Sequence, residues 1–170
     1  MSMHKERKYE LLLAWYQIIG GVLGIGFLLW IPITIPFNFI IQYILLIAGL
    51  LMHGFSTSCG IILLKEKKNA LNLSYINQFF QILKFSFLGF GFHYVSGLSI
   101  MIGIELSNTK YILEAGASSW RIEWNSDSFI KEINVNIIAI LLILLIDHIK
   151  KIKSIKEIYS FDIEKEGKIL

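Results

Sequence analysis

Apolar residues run almost unbroken through four stretches of the chain. The first is "LLLAWYQIIGGVLGIGFLLWI" at 11–31, and the second is "FIIQYILLIAGLLMHGFSTSCGIILL" at 39–64. A third fills 71–95, and a fourth, nearly all isoleucine and leucine, covers 134–150. An α-helix rises about 1.5 Å per residue, so about 20 apolar residues cross the hydrocarbon of a bilayer. The pattern predicts four transmembrane helices. Pro32 and Pro36 close the first, because proline cannot continue the helical ladder. That run carries no small-residue cleavage site, which makes it an uncleaved span rather than a signal peptide.

Between the third and fourth runs the period changes. Ile100, Ile102 and Ile104 alternate with polar or small residues, and Trp120, Ile122 and Trp124 alternate with Arg121 and Glu123. Asn, Gly and Ser break these segments into three, which is the signature of short strands joined by turns. The expectation is a small β-rich extracytoplasmic cap over 97–125 on an all-α membrane protein of four transmembrane helices. A rival reading makes 70–83 an interfacial helix and 85–104 the third span, with Lys84 an ordinary residue at the membrane surface.

Composition sharpens the class. Of the 170 residues, 55% are hydrophobic and only 17% charged, against about 25% charged in a soluble domain. The single cysteine, Cys59, excludes an internal disulfide and a CxxC metal pair. A net charge of +3 is too small for a nucleic-acid surface, so nucleic acid is not an expected partner. Lys5, Arg7 and Lys8 precede the first run, Lys65, Lys67 and Lys68 follow the second, and Lys150, Lys151, Lys153 and Lys156 follow the fourth, whereas 105–133 is net acidic. Basic residues favour the cytoplasmic side. Both termini, with a tail at 151–170, are therefore expected inside, the cap outside, and the chain in a bacterial inner membrane.

Candidate chemistry gathers on the third run. Ser74, Asn77, Gln78, Gln81 and Lys84 recur at steps of three and four, so a helix would align them on one face. At similar depth lie Gln17 in the first run and His53 in the second. Two roles fit: hydrogen-bonded glue between helices, or a site in which Lys84 balances an anion or lipid headgroup. Gly20 and Gly24 form a GxxxG for close helix packing. Trp120 and Trp124 give the cap a partner-binding surface. His53 and His93 are too few for a metal centre, and no cofactor or catalytic motif is found. The functional expectation is a small non-enzymatic subunit or scaffold of a membrane complex, with lipids and other subunits or further copies as partners. The alternative is a small channel, carrier or lipid-binding protein built around Lys84.

Overall fold

The computed structural model describes residues 3–123 and 131–166. Two long helices come first, α1 (Met3–Thr34) and α2 (Ile40–Leu64). They form an antiparallel hairpin. Its turn is held by the Gln42 side chain, whose amide oxygen accepts from the main-chain N–H groups of Asn38 (2.8 Å) and Phe39 (3.1 Å). Pro32 sits inside the last turn of α1 instead of ending it. Small residues bring the two axes together. A Cβ on Gly60 would lie 2.6 Å from the Ala14 carbonyl, and one on Gly21 would lie 2.2 Å from the Thr57 hydroxyl.

The third predicted span does not exist as a helix. α3 (Ala70–Phe79) stops after ten residues, and the chain enters a hairpin of β1 (Leu83–Phe87) and β2 (Phe90–Val95). Leu88 and Gly89, both with positive φ (51° and 79°), make its two-residue turn, the mirror-image turn type that matches strand twist. β3 (Ser99–Glu105), β4 (Lys110–Gly116) and β5 (Ser119–Glu123) follow within the segment read as extended. The fourth predicted span begins as a strand, β6 (Glu132–Asn136), and becomes helical only in α4 (Ile137–Glu166). The expectation of four transmembrane helices with a small β cap is thus corrected. Among the described residues the fold has four helices and a six-stranded antiparallel sheet, in the order β4-β3-β6-β1-β2-β5. Among the described residues two helical stretches, Arg7–Thr34 and Ile40–Leu64, are long and apolar enough to cross a membrane.

The physical reason lies in the two-residue period. Across the sheet, Leu113, Ile102, Val135 and Leu83 stand in one row, and Tyr111, Ile104, Ile133, Phe85, Phe92 and Ile122 in another. Between them runs the row Ile112, Gly103, Asn134, Lys84. Successive residues of a strand point to opposite faces, so one face is wholly apolar and aromatic, and the other carries the polar side chains.

The sheet lies alongside the helical hairpin, not beyond its end. The Tyr94 hydroxyl reaches the carbonyl of Met52 at the middle of α2, the Trp120 indole reaches Leu45, and Gly97 lies against Gly20 of α1. Leu13 and Ala14 of α1, Leu63 of α2, Ala70 of α3, and Leu142 and Ile146 of α4 close the helical core at the opposite end.

Candidate functional site

A polar seam joins the helices to β2 and β5. Gln17 is its hub: its amide oxygen accepts from Ser74 (3.1 Å) and its carbonyl from Ser56 (3.3 Å). The Asn77 amide donates to the Ser56 hydroxyl at 3.1 Å. Its oxygen lies 3.2 Å from the Tyr94 hydroxyl, which donates to Met52 at 2.9 Å. Gln81 donates to the Asn77 carbonyl and accepts from the main-chain N–H of Ser96 at 2.8 Å. Ser118 bridges two main chains, accepting from the N–H of Gly97 and donating to the carbonyl of Gly20 at 2.7 Å. Gln17, His53, Ser56, Ser74, Asn77, Gln78 and Gln81 are all fully buried. Each bond spans two elements or ends a helix, so the seam acts as a fastening.

Some of its groups have no hydrogen-bonding partner among the described residues: both ring nitrogens of His53, both amide atoms of Gln78, and the Gln17 amide nitrogen. The His53 ring packs edge-on against Tyr94, with centroids 5.3 Å apart. It also fills the notch left by Gly24, where a Cβ would lie 2.1 Å from the ring. Gly20 makes the matching notch for the turn after β2, its missing Cβ falling 2.3 Å from the Gly97 nitrogen. Both glycines of the GxxxG therefore serve contacts within this chain.

Lys84 stands apart from the seam. The helix that would have aligned it with Gln81 ends at Phe79, and Lys84 sits on β1, on the polar face of the sheet. Its ammonium pairs with Glu114 at 2.8 Å and with Glu132 at 3.3 Å, and its side chain is only 13% exposed. Glu114 belongs to β4, three strand positions away, about 14 Å in a flat sheet. Side chains standing upright on a flat sheet would not meet over that span, so the sheet is strongly curled with its polar face concave. Gly103 permits the curl: a Cβ there would lie 2.1 Å from the Asn134 side chain. Asn134, opposite both Gly103 and Lys84, is fully buried, and neither amide atom has a partner among the described residues.

His93 lines the same hollow, with Ser86, Arg121, Glu123 and Glu132. Its Nε2 lies 2.6 Å from the Ser119 hydroxyl. Burial, reinforced by the Lys84 and Arg121 cations and opposed by Glu114, lowers its pKa from 6.5 to about 4. The free space there is about 10 Å³, room for a single water. A larger apolar groove of about 310 Å³ runs between α1 and the turn after β2, lined by Tyr16, Ile19, Gly20, Leu23, Gly97 and Leu98. Among the described residues, no group of three or more His, Cys, Asp or Glu is placed to hold a metal ion.

Of the residues singled out in the sequence, Gln17, His53, Asn77, Gln78 and Gln81 all lie in the buried region along the seam, and Lys84 does not join them. Trp120 is half-buried on the seam, and Trp124 lies outside the described residues. Tyr94, Ser118, Glu114, Glu132 and Asn134 were not singled out. Ser118 has no distinguishing spacing, whereas Tyr94 continues the alternation "FGFHY" at 90–94, and "EINVN" at 132–136 alternates likewise. Comparison with protein-family models, curated proteins and solved structures finds no match for this chain.

Proposed function

We propose that the chain is a small, non-enzymatic integral membrane protein of a bacterial inner membrane, acting as a structural subunit of a larger assembly. In this reading α1 and α2 cross the bilayer, and the sheet rides on them at mid-length. The observation that carries it is the exposed surface of the hairpin. Leu12, Trp15, Val22, Phe27, Trp30 and Ile33 of α1, and Ile40, Ile44, Ile47 and Leu51 of α2, are all large, apolar and exposed. Apolar surface on this scale is far more than a water-soluble monomer presents.

Orientation follows from the end at which the basic residues collect. Arg7 donates to the Leu64 carbonyl and pairs with Glu66 at 3.1 Å, and Lys153 of α4 pairs with Glu10. Lys65, Lys67 and Lys68 are exposed beside them. Basic residues mark the cytoplasmic side, so both termini face the cytoplasm and the turn at 35–39 faces out. The subunit role is supported by the sheet, whose apolar face stays open at Tyr111, Leu113, Ile102, Ile133 and Leu83. Lipid binding is a second reading. It rests on the apolar groove beside Gly20, which suits an acyl chain better than the occupied hollow at Lys84.

The test is alkaline carbonate extraction of membranes, combined with thiol labelling of single-cysteine variants in a Cys59→Ala background. The protein should stay in the membrane pellet. Asn38→Cys should label in intact cells, and Lys68→Cys only after the membrane is opened. Release by carbonate, or labelling of Lys68→Cys in intact cells, overturns the reading.

A further inference from the structure

We infer that the protein self-associates through β4, whose free edge pairs antiparallel with β4 of a second copy about a two-fold axis at Ile112. This names the partner within the subunit reading and rests on that reading.

β4 is an edge strand, and among the described residues it pairs only with β3. Every residue of it except Ile112 is exposed, with Tyr111 at 85% and Leu113 at 75%. It has seven residues, with no proline to block pairing. An edge of this length and composition is the kind that pairs with another chain. It lies at the far side of the sheet from the seat on α2, so the helical hairpin does not obstruct an approach.

Sequence around Ile112 sets the register. Antiparallel pairing about this residue places Lys110 opposite Glu114 of the second copy, and Glu114 opposite its Lys110. On the other face it places Tyr111 opposite Leu113, twice. A register shifted by one residue, centred on Leu113, loses both charge pairs. Opposed unlike charges and aromatic–aliphatic pairs are the contacts that stabilise neighbouring strands. Glu114 already meets Lys84 within its own chain, so the second lysine completes a row of alternating charge along the concave face. The apolar faces join on the other side into one surface of twelve strands. The second copy also takes up the unpaired main-chain N–H and C=O groups along β4.

Cysteine cross-linking in native membranes tests this, again with the buried Cys59 replaced by alanine. On the two-fold axis the two copies of residue 112 come about 4.5–5.5 Å apart, within disulfide range. Mild oxidation should convert Ile112→Cys to a covalent dimer. Lys110→Cys alone should not cross-link, since its two copies are about 14 Å apart along the strands. Lys110→Cys co-expressed with Glu114→Cys should cross-link. No dimer from Ile112→Cys, or equal cross-linking of Lys110→Cys alone, overturns the inference. Its failure is distinct from failure of the membrane reading: a carbonate-resistant protein without the Ile112 cross-link loses only the dimer, and a carbonate-released protein loses the membrane placement.

Discussion

The hydroxyl of Tyr94, on the second strand, donates to the main-chain carbonyl of Met52, at the middle of the second helix, over 2.9 Å. With the bonds of Trp120 to Leu45 and of Ser118 to Gly20, this bond sets the height at which the sheet meets the hairpin. The ring is fully buried, and the Asn77 amide oxygen lies 3.2 Å from the same hydroxyl. Tyr94→Phe keeps the ring and removes the one buried donor that these two acceptors share. The expected cost is about 1–3 kcal/mol, read as a lower melting temperature in mild detergent; an unchanged melt would show that the bond is not needed to seat the sheet.

Lys84 balances two carboxylates, one of which, Glu132, is mostly buried. Lys84→Met leaves that carboxylate without its cation and should destabilise by about 1–3 kcal/mol, below the figure for a fully buried pair because Glu114 is half exposed. Glu114→Gln keeps the Lys84–Glu132 pair and should cost under about 1 kcal/mol. Thermal melts of the two variants side by side check the ordering, and equal melts would contradict it.

Two glycines of the first helix should respond in opposite directions. Gly24→Ala drives a methyl into the His53 ring and should cost about 1–3 kcal/mol. Gly26 has nothing within 4 Å of its missing Cβ, so Gly26→Ala should gain about 0.5–1 kcal/mol from reduced backbone freedom in the unfolded chain. Paired melting curves decide it, and equal shifts would remove the role assigned to the notch at Gly24.

His93 makes stability depend on pH. Its folded pKa, about 4, lies below the ordinary 6.5, so the unfolded chain takes up the proton first. The neutral imidazole contributes fully above about pH 6.5, and its contribution falls as pH drops from there towards 4. His93→Gln removes the titration and can still bond to Ser119. The difference in melting temperature between variant and native protein should therefore change across that window and stay level above it; a constant difference from pH 7.5 to 4.5 would rule the account out.

The two long helices were legible because hydropathy averaged over about 20 residues is dominated by burial in lipid or core. The same averaging hid the first hairpin. "LKFSF" and "FGFHYV" alternate strictly, Leu83, Phe85 and Phe87 against Lys84 and Ser86, then Phe90, Phe92 and Tyr94 against Gly91 and His93. Phenylalanine is so frequent there that the alternation reads as a continuous apolar run. The turn was disguised as well, because Leu88 occupies a left-handed position usually marked by Asn or Gly. Lys84 thus looked like a charge inside a helix, when it is one tooth of a strand facing a polar hollow. Its partners were not readable locally: Glu114 and Glu132 lie far along the chain, and β6 pairing brings Glu132 beside it while the curl of the sheet brings Glu114. The seam residues on α3 were legible, since Ser74, Asn77 and Gln78 keep helical spacing in the part that is helical.

Of the described strands, the last to be synthesised is a central one. β6 stands between β3 and β1, so while the ribosome is still upstream of Glu132 the sheet exists as two pieces, β1-β2-β5 and β3-β4, each with an unfilled border. Neither piece can join the other until residues 132–136 emerge, and those residues lead directly into α4. Completion of the sheet is therefore a late, long-range event, and such closures are slow relative to local hairpins. During that interval the nascent chain carries open strand borders beside a greasy hairpin, the condition under which incomplete chains are most exposed to wrong pairing. A chain truncated before Glu132 should behave as such an arrested intermediate, prone to aggregation and early degradation.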